Sequence, residues 1–74
     1  MEINEAVTTR IQQLLRTRGW TANELIKRSN VNQSTISEIM AGRSKHPRIS
    51  TIKKIAYGFG MTLSEFFDDD IFKY

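Results

Sequence analysis

The chain contains no cysteine, one proline, one histidine and no long apolar run, and each shortage closes off a class of protein. Without Cys there is no disulfide framework and no thiolate metal site, so the core alone must hold the chain together, which favours efficient helix packing. No stretch approaches the roughly 20 apolar residues needed to cross a bilayer, and the start, MEINEAVTTR, lacks the basic-then-apolar order of a signal peptide. A cytoplasmic protein is expected. His46 lies beside Pro47 in a basic loop, with no nucleophile, paired carboxylates or Gly-rich phosphate loop to complement it, so neither an enzyme nor a metal or cofactor site is expected. Asp68, Asp69 and Asp70 are consecutive at a helix end, point in different directions, and read as solvated charge. With 74 residues there is room for one core, and the whole of 1–74 is expected to be one functional domain.

What is present is an uneven charge. Ten basic residues lie between Arg10 and Lys54 against two acidic ones, Glu24 and Glu38, while both ends are acidic. A basic middle with acidic ends suits one face for a polyanion and another kept away from it; the alternative is an ordinary solvated surface.

Apolar residues recur at helical spacing throughout, and no segment alternates with period two, so the class is all-α. The first helix is expected to start at Asn4 as N-cap, to carry Val7, Ile11, Leu14 and Leu15 inward, and to end at Gly19. Thr21 and Glu24 read as a capping box, with Trp20 stapled onto Leu25, for a short second helix that stops near Ser29 and Asn30. Asn32 caps a third helix whose inward stripe is Ile36, Ile39 and Met40, ended by Gly42. Pro47 and Ser50 prepare a fourth helix with Ile52, Ile55, Ala56 and Phe59 inward, up to Gly60. Thr62 and Glu65 form a second capping box, for a fifth helix through Leu63, Phe66 and Phe67.

The connection between the second and third helices is too short for them to lie antiparallel, so they cross steeply as a helix-turn-helix. The third helix then shows Gln33, Ser34, Ser37 and Glu38 on its outer side, a small polar face suited to base edges. Here the segment RGWTANELIKRSNVNQSTISEIMAG resembles the helix-turn-helix of the Cro and phage-repressor (XRE) family, and the likeness continues through HPRISTIKKIAYGFGMTLSEFF. The resemblance implies a compact five-helix lambda-repressor-like domain with the helix-turn-helix at residues 21–42. It also implies a regulator, typically a repressor, that binds operator DNA as a two-fold dimer.

Carried onto this sequence, the resemblance places base contacts at Gln33 and Ser34, with Thr35, Ser37 and Glu38 nearby. Gln suits adenine N6 and N7, Ser suits several acceptors, and Glu38 suits cytosine N4 while repelling phosphate. Backbone contacts are expected from Thr21, Ala22 and Asn23 at the start of the second helix, and from Arg43, Ser44 and Lys45. Arg48 matches an arginine that phage repressors place by the minor groove; a phosphate contact or a solvated side chain is the alternative.

Some positions depart from the family pattern. Ile26 stands where a small alanine is usual, Asn30 replaces a turn glycine, and Ala22 replaces a side chain that often reaches phosphate. Leu15 and Met40 replace an Arg–Glu pair with an apolar contact. The aromatic-rich stretch 57–74 offers a dimer surface of Tyr57, Phe59, Phe67, Ile71 and Phe72; the alternative is that the tail folds back on the core. Two other functions share the fold: an antitoxin that neutralises a small protein partner and regulates its own promoter, and a protein-interaction module without DNA binding.

Overall fold

The computed structural model describes residues 1–73, and its order is α1 (Ile3–Arg18), α2 (Ala22–Ser29), α3 (Gln33–Met40), α4 (Ile49–Gly58), α5 (Leu63–Phe66) and a 3₁₀ turn at Asp70–Phe72. No strand occurs among the described residues. The five-helix, all-α expectation holds, and so do the inward stripes: Val7, Ile11, Leu25, Ile36, Ile55 and Phe66 are each at most 1 % exposed. Burying a side chain of this size stabilises the fold by about 1.5–3 kcal/mol, which is how a chain without disulfides holds together.

The helix starts show how local chemistry sets the boundaries. Thr21, Asn32 and Thr62 each have extended backbone, and their side-chain oxygens accept from the N–H groups of Glu24, Thr35 and Glu65. Such a bond satisfies one of the four N–H groups that a helix leaves free at its start. At α5 the box is complete, because the Glu65 carboxylate accepts in return from the Thr62 N–H at 2.8 Å. At α2 only half forms: Glu24 turns its carboxylate to Arg28 Nε at 2.6 Å. At α1 the expected cap is displaced by two residues. Glu2 takes the cap position, its N–H donating to Glu5 at 3.1 Å, while Asn4 is one of the first helical residues and is buried. A Glu three residues after the cap outcompetes the shorter Asn signal. α4 likewise begins at Ile49, with Arg48 at the cap, one residue before Ser50.

Packing is tightest between α2 and α4. A Cβ built on Gly58 would lie 2.9 Å from both Cα and Cβ of Ser29, so glycine is what lets the end of α4 close on the end of α2. Asn30 then takes the left-handed conformation (φ 59°) and turns the chain directly into α3. On the other side, Thr8 Oγ1 of α1 lies 2.9 Å from the Ile39 carbonyl and so ties α3 to α1.

The tail folds back. Phe66 packs edge-on against Phe67 and tilted against Phe72, and Arg10 of α1 reaches across to hold this end. Its Nε donates to the Phe66 carbonyl at 2.7 Å, Nη2 to the Glu65 carbonyl at 3.0 Å, and Nη1 to the Asp69 carboxylate at 3.3 Å. A radius of gyration of 11.0 Å agrees with about 11 Å for a folded chain of this length, so the tail adds no extension.

Candidate nucleic-acid interface

The third helix places its residues as the inward stripe requires. Ile36 and Ile39 are buried and Met40 is half-buried, which leaves Gln33, Ser34, Ser37 and Glu38 exposed and Thr35 half-buried between the two sides. The Asn32 cap fixes the first turn, since its Oδ1 accepts from Thr35 N–H at 2.8 Å, so Gln33 and Ser34 start from an ordered backbone. At the start of α2, Thr21, Ala22 and Asn23 are exposed. The Ala22 and Asn23 N–H groups fall in the turn whose donors have no partner within the helix, at the positive end of its dipole.

The segment after α3 completes the same surface. A groove of about 350 Å³ runs from Thr35 and Glu38 on α3, past Ser44 and Pro47, to Arg48 and Thr51 at the start of α4. It thus brings the outer face of α3 and the basic loop onto one continuous surface. Arg48 lines this groove, and Arg43 and Lys45 of the same loop are exposed. Lys45 and His46 border a second groove, of about 710 Å³, which Glu2 and Glu5 at the start of the chain also line. The acidic chain start therefore flanks the basic loop on one side only.

Several charges of the basic middle are engaged within the molecule. Arg10 is spent on the end of α5. Arg28 lies 4.4 Å over the Trp20 ring, and Arg18 lies 5.3 Å from Trp20 and 5.7 Å from Phe59, a cation–aromatic cluster that covers the junction of α1, α2 and α4. Glu38 is paired with Arg43, Nε to Oε2 at 3.4 Å. The Asp68 to Asp70 run is also divided: Asp69 accepts from Arg10 and from the Ile71 N–H, and Asp70 pairs with Lys73.

The expected dimer surface is broken up. Phe59 is 2 % exposed and stacks at 5.5 Å, with ring planes 8° apart, on Trp20. Its ring is core, because Trp20 lies on Phe59 and closes the α2–α4 seam. Phe67, Ile71 and Phe72 are half-buried in the folded-back tail. Tyr57 stands out, 78 % exposed, as does Ile49 at 61 %, beside Arg48. Ile49 was missing from the expected dimer surface because only the inward stripe from Ile52 onward was assigned to this helix, whereas Ile49 is its first residue and exposed.

A family model of the Cro/C1-type HTH DNA-binding domain matches residues 10–70. Among solved structures, the chain is similar to the prophage Lp1 protein 11, with 31 % identity and a TM-score of 0.85 over 100 % of this chain and 99 % of that one. No curated protein matches it at the same standard. The matched span contains the capped helix pair, the loop to Arg48 and the α4–α5 support, so the chain belongs to the Cro/C1-type helix-turn-helix DNA-binding family.

Proposed function

We propose that this DNA-binding regulator is a repressor that docks α3 in the major groove of an inverted-repeat operator, one chain on each half-site. The observation that carries the reading is the outer face of α3: Gln33, Ser34 and Ser37 are exposed, uncharged and polar, on a helix whose opposite side is core. A merely solvated helix would carry mixed Lys and Glu, whereas short polar side chains suit base edges. In this reading Gln33 and Ser34 read bases, with Thr35, Ser37 and Glu38 beside them. Thr21, Ala22, Asn23, Arg43, Ser44, Lys45 and Arg48 bind the backbone, Arg48 at a narrow A·T-rich minor groove or a phosphate.

The size of the molecule supports a two-fold arrangement. Its longest extent is 31 Å, and recognition helices in successive major grooves are spaced by about 34 Å. Two copies side by side are thus of a size to occupy the two half-sites. Tyr57 and Ile49, both on α4, are exposed apolar groups available to such a contact. Titrating a bound duplex tests this: two chains per site, and an affinity that falls steeply with salt, are expected. One chain per site, or salt-independent binding, would count against it.

A further inference from the structure

Glu38 is the one acidic side chain on the proposed reading face, where it works against the phosphates, and its surroundings show how the fold deals with that. α3 ends in a left-handed closure: Gly42 has φ 76°, its N–H donates to the Ile39 carbonyl at 3.1 Å, and the Arg43 N–H donates to the Glu38 carbonyl at 3.0 Å. That six-residue loop is the Schellman arrangement, which fixes the residue after the glycine against the residue five before it. The residue after the glycine is Arg43 and the residue five before it is Glu38. Their side chains meet at 3.4 Å while both stay exposed, 69 % and 53 %. The pairing is thus a consequence of how the helix stops, and Arg43 also offsets a carboxylate held near the negative end of the helix dipole.

We infer that Glu38 and Arg43 act as one unit that makes a phosphate contact conditional on the base sequence. This rests on α3 being the reading helix. Over an unmatched sequence, the carboxylate keeps the guanidinium, so Arg43 adds little to general attraction for the polyanion. Over a base pair that presents a cytosine N4 amino group to Glu38, the carboxylate accepts from the base and Arg43 is released to a phosphate. A residue that opposes DNA in general thereby raises the ratio of specific to non-specific binding.

The test is a salt titration of the full chain on random-sequence duplex with four proteins: wild type, Glu38→Gln, Arg43→Ala and the double variant. Glu38→Gln frees Arg43, so one more phosphate is neutralised: its log–log slope steepens by about 0.9, an extra loss of about 3.5-fold in affinity between 50 and 200 mM salt. In the Arg43→Ala background the same Glu38→Gln change leaves the slope where Arg43→Ala alone sets it, because there is no guanidinium to free. If Glu38→Gln steepens the slope equally with and without Arg43, only bulk charge is at work and the coupling is overturned. If no slope changes while binding persists, the coupling is overturned and the operator reading stands. A wild type that prefers no sequence in selection would instead overturn the operator reading.

Discussion

At the scale of single residues, side chains of one type are put to different uses by what lies next to them. Arg10, Arg28 and Arg43 are all counted in the basic middle, yet Arg10 closes the end of α5, Arg28 lies over Trp20, and Arg43 is held by Glu38. Arg10 is the strongest structural case, being only 12 % exposed with its fork divided between two carbonyls and a carboxylate. Arg10→Ala is expected to cost about 1.5–3 kcal/mol in urea unfolding, the range for hydrogen bonds to a charged group. Arg10→Lys should recover little, because an ammonium cannot reproduce the fork. Full stability in the alanine variant would show the latch to be idle. At the other extreme, Gln33 is exposed and its side chain makes no hydrogen bond among the described residues. Gln33→Ala is therefore expected to leave the unfolding midpoint in place while relaxing preference at one base per half-site by about 1–3 kcal/mol. Competition between operator variants measures it, and a uniform loss across all sequences would contradict base reading.

At the scale of helices and turns, the stops and starts carry the specificity. Asn32 is an exposed cap whose single bond to Thr35 orders the first turn of α3. Asn32→Ala is expected to lower stability by about 1 kcal/mol and to weaken specific binding further, since Gln33 and Ser34 lie in that turn; calorimetry and binding to the operator check the two parts. Gly58 allows a sharper test, because replacing a helical glycine by alanine normally stabilises by about 1 kcal/mol. Here the added Cβ meets Ser29 backbone at 2.9 Å, so Gly58→Ala should instead destabilise, by about 1–3 kcal/mol. A stabilised variant would show that α2 and α4 can part at no cost. These elements also show what was legible in the sequence. Asn30, Asn32, Gly42 and the Thr62–Glu65 box are recognisable from residue type and spacing, because each acts on backbone within a few residues. The Asn4 cap failed against Glu2 and Glu5, where two local signals compete. Phe59 is legible as an inward position of its helix, but its stacking on Trp20 and the hold of Arg10 on the end of α5 were not, since the partners are far away in sequence and nothing local indicates them. The Glu38–Arg43 pair was within reach: an acid five residues before a base, with the helix-ending glycine immediately before the base, is its signature.

At the scale of the whole molecule, the five helices form a platform that shows one polar face and one basic loop side by side, with the acidic start of α1 on the loop's far flank. The tail is part of the platform, held on α1 by Arg10 and the Phe66, Phe67 and Phe72 rings. The exposed large apolar groups among the described residues are few: Met1 and Ile3 at the chain start, and Ile49 and Tyr57 on α4. Pairing is then expected to be weak in solution and completed on DNA. Sedimentation should show mostly monomer at micromolar concentration without operator, and a Tyr57→Lys, Ile49→Lys variant should lose cooperative occupancy of the two half-sites while keeping affinity for one. A tight dimer indifferent to both changes would place the contact elsewhere. The central claim is that α3 reads sequence from the Gln33 and Ser34 face, and selection of bound duplexes from a random pool tests it most directly. The account predicts an enriched inverted repeat with half-site centres separated by about 10 base pairs; recovery of unenriched sequence, bound as tightly as every other, would contradict it.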